Sequence, residues 1–143
     1  TDAGLIPTGE IRPITKGDVF DFSEAKPIGQ DIDKDDERLV IAAGYDHTVL
    51  LPEHDGLYTF AQAKSEKTGI IMDVATTMPG AQFYSANFLE GKPGKQGHIY
   101  NRRDAFCIET QYVPNAVNCD KFASPVLKAG QETHTVTTYT FSK

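Results

Sequence analysis

The chain has 143 residues, a formal net charge of −6 and an ordinary apolar share of 39%. That length suits one domain, spanning residues 1–143, with a real core, and the composition excludes a disordered tail. The acidity is not interrupted by a Lys/Arg stripe, so nucleic acid is not an expected partner. No apolar run is long enough to span a bilayer, so neither is a membrane.

Gly and Pro punctuate the chain every dozen residues or so, and no long helical period survives between them. In chain order, strands are expected at 19–22 (VFDF), 38–44 (RLVIAAG), 47–51 (HTVLL) and 57–64 (LYTFAQAK). More follow at 69–77 (GIIMDVATT), 81–89 (AQFYSANFL), 105–111 (AFCIETQ) and 134–142 (HTVTTYTFS). These runs are rich in Val, Ile, Thr, Tyr and Phe. Many short strands with turn signals between them predict an all-β fold, an antiparallel β-sandwich or barrel. Residues 31–38 (DIDKDDER) read as a charged surface loop, and 90–97 (EGKPGKQG) as a loop by composition.

Three motifs resemble binding sites and fail on detail. GKPGKQG has the wrong glycine spacing for a phosphate loop, and no Ser or Thr follows Lys95. DIDKD alternates aspartates as a calcium loop does, but Asp36 stands where glycine is needed and Ala42 where the bidentate Glu belongs. His47, His54, His98 and His134 share no ligand spacing, so no metal is expected. Cys107 and Cys119 show no metal spacing and no disulfide framework. A reduced, cytoplasmic setting is expected, with a single disulfide between them left open.

The polar residues inside strands remain to be explained. Phe106, Cys107 and Ile108 read as buried strand, and the Glu109 carboxylate arrives in the same run. A buried carboxylate is costly unless it is paired or put to use. Side chains alternate along a strand, which sets Phe106, Ile108 and Thr110 on one face and Cys107, Glu109 and Gln111 on the other. Glu109 and Gln111 can then line a concave polar surface, and Cys107 is expected to pack. Gln82 and Tyr84 share a face in the same way. Asp46 opens an apolar strand, where a turn-capping role is the plain alternative to function.

Six blocks, read together, resemble the aldose 1-epimerase family, the galactose mutarotases: PTGEI (7–11), DVFDF (18–22), GYDHTVLL (44–51), TTMPGAQFYSANFLEG (76–91), FCIETQYVPNAVN (106–118) and SPVLKAGQETHTVTTYTFS (124–142). The resemblance runs in order over nearly the whole chain. It implies a large antiparallel β-sandwich with a sugar cleft on one concave sheet, and interconversion of the α and β anomers of a free aldose such as galactose or glucose. By motif, Glu109 matches the family's catalytic base. Asp46 matches the aspartate that bonds sugar hydroxyls, and Gln82 a glutamine of the sugar site. Tyr84 and Gln111 are added from strand-face geometry. His47 has no assigned role, since alternation turns it away from Asp46.

Mutarotation takes the proton from the anomeric hydroxyl and delivers one to the ring oxygen, so it needs a base and an acid on either side of the sugar. Partial burial of the carboxylate can raise its pKa toward neutrality. No cofactor is implied. The family's general acid is a histidine in an Asn-His-Ser-Tyr-Phe-Asn-like block upstream of everything quoted, and no such block occurs in this chain. The resemblance therefore covers a C-terminal portion only. Opening as it does on Thr1, the chain is expected to be processed, trimmed or a fragment, to have negligible activity alone, and to need an upstream half or self-association. Two alternatives stay open. One is a non-catalytic carbohydrate-binding module. The other is the sugar-phosphate epimerase branch, for which the adjacent basic pair Arg102–Arg103 is the available phosphate ligand.

Overall fold

The apolar run at 38–44 coils instead of extending. In the computed structural model, which describes residues 1, 2 and 4–143, α1 spans Glu37–Ala42. Asp36 caps it by accepting the Arg38 backbone N–H at 3.0 Å. At the other end Ala43 takes the left-handed conformation, φ 55°, while Gly44 N–H donates to Leu39 O at 2.9 Å and Ala43 N–H to Val40 O at 3.2 Å. That pair of bonds is a Schellman closure. Leu39 and Ala42, three apart, are buried, whereas Val40 is 63% exposed. The spacing of the buried pair is helical, and a strand would have buried alternate residues.

The expected strand at 19–22 is also absent; the chain turns at 18–21, where Asp21 N–H donates to Asp18 O at 2.9 Å, and runs on irregularly through Phe22. Phe20 and Phe22 reach the core from that stretch. The remaining strands are β1 (Asp46–Leu50), β2 (Tyr58–Lys64), β3 (Ile71–Thr76), β4 (Gly80–Tyr84), the two-residue β5 (Lys92–Pro93) and β6 (Ile99–Tyr100), β7 (Cys107–Gln111) and β8 (Thr137–Ser142). The run expected at 81–89 stops at Tyr84. The loop at 90–97 contains β5 and one 3-10 turn. The sheets order as β1-β4-β7, β2-β3-β8 and β5-β6, and the fold is the antiparallel, strand-dominated class that the sequence predicts.

The chain divides into two compact units. The first holds residues 1–48 and 82–109. Its core is Val19, Ile32, Leu39 and Tyr45, with Phe20, Phe22, Ile28 and Phe83 packed against it. Tyr45, fully buried, stands edge-on to Phe20 and Phe22, each with ring centroids 5.4 Å away, and donates its hydroxyl to Val19 O at 2.9 Å. Edge-on aromatic pairs add to the gain from buried area.

The charged run at 31–38 is not a free surface loop. Asp31 and Ile32 are buried. Lys26 Nζ and Lys34 Nζ each lie 2.7 Å from the Asp31 carboxylate and hold its pKa below the usual carboxylate range. Asp33 pairs with Arg103, and Asp36 with Arg38. Carboxylates spent in this way are not offered to a cation. Among the described residues, no group of three His, Cys, Asp or Glu side chains gathers to hold a metal ion.

The second unit holds residues 49–81 and 110–143. In it β3 is flanked by β2 and β8, with Val74 opposite both Ala61 and Tyr139. Val74 and Thr76 are fully buried. The Thr76 hydroxyl pairs with Thr137 at 3.1 Å and accepts the Met78 N–H at 3.0 Å, and Thr137 also meets the Thr110 hydroxyl. On the edge strand β8, Tyr139 and Phe141 are exposed. Among the described residues, no helix is long and apolar enough to cross a membrane.

Candidate functional site

The site is built on the ends of β1, β4 and β7 that belong to the first unit: Asp46–Thr48, Gln82–Tyr84 and Cys107–Glu109. A buried polar knot sets the entry to β1. Ser85 Oγ accepts the Tyr45 backbone N–H at 3.0 Å and donates to Asn87 Oδ1 at 2.6 Å. Asn87 Nδ2 donates to Ala42 O and Tyr45 O, both at 2.9 Å. The end of α1 and the start of β1 are thus stitched to the residues that follow β4. Every partner is satisfied, the condition under which a buried polar network rigidifies its surroundings.

From this anchor β1 presents Asp46 and Thr48, two apart and so on one face. Gln82 on β4 lies between them. Its Nε2 donates to Asp46 Oδ1 at 2.7 Å, and its Oε1 accepts the Thr48 hydroxyl at 2.6 Å. Because the Asp46 carboxylate can only accept, it draws the Gln82 NH2 toward itself and leaves Oε1 for the Thr48 hydroxyl. One Gln82 N–H and the second Asp46 oxygen have no partner within this row, which leaves a donor and an acceptor side by side. The sequence reading did not single out Thr48. A threonine in an apolar run reads as a strand former, and only its spacing of two from Asp46 hints at a shared face.

Glu109 sits on β7, the strand next to β4, and its side chain is exposed. This corrects the expectation of a partly buried carboxylate; Phe106 and Cys107, read as buried strand, are exposed as well. Cys107 does not pack, and it is not joined to Cys119. Although the residue as a whole is exposed, partial desolvation of its sulfur and the neighbouring Glu109 charge both push the Cys107 thiol pKa up. The Tyr84 hydroxyl accepts the Phe88 N–H at 3.0 Å, and its ring stacks on Phe88, so this side chain is engaged with its own loop. Gln111 belongs to the second unit and is half-buried there.

His47 points away from the Asp46–Thr48 face. Its ring packs edge-on against Phe20, centroids 4.7 Å apart. Burial lowers its pKa to about 4, with Arg38 and the N-terminal charge acting in the same direction and Asp46 and the Arg38 backbone opposing. The unfolded chain therefore binds this proton first. The contribution of neutral His47 to stability is full above pH ~6.5 and is lost as pH falls toward about 4. Urea unfolding of the chain and of His47→Asn, compared at pH 7 and pH 4.5, is expected to show the gap between them narrowing by up to ~3 kcal/mol. An unchanged gap would show that His47 does not titrate in this window.

The arginine pair is also spent internally. Arg102 Nη2 and Arg103 Nη2 donate to Ala43 O at 2.8 and 3.3 Å, and Arg103 pairs with Asp33. They satisfy a carbonyl at the end of α1, where a cation is favoured. A phosphate ligand would have to compete for them.

The family model for aldose 1-epimerase matches residues 1–140. The galactose mutarotase of Sus scrofa is 37% identical over 142 residues, 99% of this chain and 40% of that protein. The aldose 1-epimerase of Escherichia coli K12 is 33% identical over 143 residues, 98% of this chain and 41% of that one. The crystal structure of an aldose epimerase homologue from C. elegans superposes with a TM-score of 0.84 at 31% identity, covering 99% of this chain and 41% of its own. The chain thus spans about two fifths of the length of the curated relatives it matches. A match over almost every residue, at this level of identity and with the same fold, means that the chain belongs to the aldose 1-epimerase family.

Proposed function

We propose that this chain supplies the base and part of the sugar-binding surface of an aldose 1-epimerase acting on free hexoses such as galactose or glucose. The observation that carries the reading is the row Thr48–Gln82–Asp46, hydrogen-bonded end to end on adjacent strands, with Glu109 on the strand beyond. Asp46 and Gln82 grip ring hydroxyls and set the ring's orientation, while Glu109 removes the proton of the anomeric hydroxyl. The ring opens, the aldehyde end turns, and closure occurs on the other face. The proton for the ring oxygen comes from a histidine in the family's upstream portion, outside this chain.

In this chain the Glu109 carboxylate is exposed to solvent. In this reading the upstream portion covers Glu109 and completes the cleft. The same exposure favours a second reading for the chain on its own, that of a binder of carbohydrate without turnover.

Titrating galactose into labelled chain is expected to move the Asp46 backbone and Gln82 side-chain amide signals. Polarimetry is expected to show a negligible rate for the chain alone and a rate once the upstream portion of a family member is supplied. Unmoved Asp46 and Gln82 signals at saturating sugar would overturn the sugar-site reading. A family-like rate from the chain alone would overturn the division of labour.

A further inference from the structure

We propose that His47 is a positioning residue for the sugar site: its Nδ1 accepts the Asp46 backbone N–H, which fixes the first residue of β1 and so aims the Asp46 carboxylate at Gln82. This rests on the sugar-site reading of Asp46 and Gln82. The bond is 3.0 Å long and closes between neighbouring residues, so it constrains the Asp46 backbone and the His47 ring together. The ring cannot swing away, because Phe20 stands edge-on to it. Phe20 in turn carries Tyr45 on its other contact and Arg38 over its face at 4.7 Å, and Arg38 is tied to Asp18 and Asp36.

Packing alone does not account for an imidazole here. With Nδ1 as acceptor, the neutral ring carries its hydrogen on Nε2. His47 Nε2 is buried and makes no hydrogen bond of full geometry; the Arg38 backbone is its nearest polar neighbour and favours the charged ring only weakly against burial. A buried polar atom left unpaired is a cost that an aliphatic or phenyl side chain would avoid. What the imidazole offers in return is the Nδ1 acceptor one residue from Asp46. The chain follows from there: His47 orients the Asp46 backbone, Asp46 Oδ1 accepts from Gln82 Nε2 and so sets the amide's orientation, and Gln82 Oε1 accepts from Thr48.

Two substitutions separate positioning from filling space. His47→Phe keeps an aromatic ring against Phe20 and removes the acceptor. His47→Asn sacrifices the ring but places an amide oxygen near the Nδ1 position. Galactose affinity of the chain is expected to fall about tenfold in His47→Phe, with the fold retained by circular dichroism, and to recover to within about threefold in His47→Asn. Undiminished affinity in His47→Phe would overturn the proposal, as would failure of His47→Asn to recover it in an equally folded chain. Nuclear magnetic resonance gives a readout that needs no sugar: a nitrogen–nitrogen coupling across the Asp46–His47 bond, and the Gln82 side-chain amide signals. If the unsubstituted chain shows no response to galactose, the sugar reading fails, and His47 is judged on these signals. Gln82 signals displaced in His47→Phe and restored in His47→Asn support positioning. Gln82 signals unmoved in His47→Phe refute it.

Discussion

Gly44→Ala is expected to destabilise the first unit by about 3–5 kcal/mol, from backbone strain and overpacking together. Gly44 has φ 141°, a conformation that L side chains rarely adopt. A Cβ built there lies 2.3 Å from Asn87 Oδ1 and 3.0 Å from Ser85 Oγ. Neither atom is free to retreat. Asn87 Oδ1 is held by Ser85, and Asn87 Nδ2 by two carbonyls on either side of Gly44. Moving Asn87 would orphan buried groups, each costing about 1–3 kcal/mol. A domain of ordinary stability has only about 5–15 kcal/mol in all, so the variant is expected to be largely unfolded or to lose Asp46 and the start of β1. Gly91→Ala is the control: its φ is 58°, but nothing lies within 4 Å of the added carbon. It measures the cost of a left-handed alanine without a clash, about 1–2 kcal/mol. Urea midpoints of the two variants give the answer. If they fall together, the contact with Asn87 is not what demands glycine. The further variant Asn87→Ser, made in the Gly44→Ala background, relieves the clash, and its effect is expected to be non-additive with Gly44→Ala.

That knot shows what was legible and what was not. The strands β1, β2, β3, β7 and β8 follow from alternation and β-branched content, because each makes its contacts along an extended backbone. The run at 38–44 is ambiguous for a physical reason: seven residues of mostly apolar character fit either a buried strand or about two helical turns. The deciding signals were present in Asp36 as cap and Glu37 in the first turn, whereas the left-handed Ala43 carries none, since alanine rarely takes that conformation. Phe20 and Phe22 alternate like strand residues, yet they reach the core from a turn and the irregular stretch after it. Their burial comes from Tyr45 and Phe83, 23 and more residues away, and no local pattern reports that. Asp31 hides inside a run that looks solvated for the same reason, since one of its partners, Lys26, lies in a different segment. The site divides in the same way. Asp46 and Gln82 are 36 residues apart, and a resemblance to the family picked them out where periodicity could not. Thr48 declares its role only through the hydrogen bond it makes to Gln82, 34 residues away.

Glu109→Gln is expected to lower mutarotation by at least ~100-fold, measured on the chain combined with a family upstream portion, while leaving galactose affinity within about twofold. Gln is nearly isosteric with Glu and keeps an acceptor oxygen, but it cannot take a proton from the anomeric hydroxyl. Loss confined to turnover is therefore the signature of a base. Asp46→Asn should behave in the opposite way. Asp46 accepts from Gln82 Nε2 at 2.7 Å, and an amide at 46 must keep its oxygen toward Gln82, which turns its NH2 to the ligand side where an acceptor stood. Affinity for sugar is expected to drop about tenfold, and the rate at saturating sugar to fall far less than in Glu109→Gln. The pair distinguishes three outcomes. Turnover lost in Glu109→Gln and affinity lost in Asp46→Asn fits an epimerase with these roles. No effect of Glu109→Gln on either quantity, with affinity still dependent on Asp46, fits a carbohydrate binder. Affinity lost equally in both makes Glu109 a ligand to the sugar, and the base must then be sought outside the three strands that carry Asp46, Gln82 and Glu109.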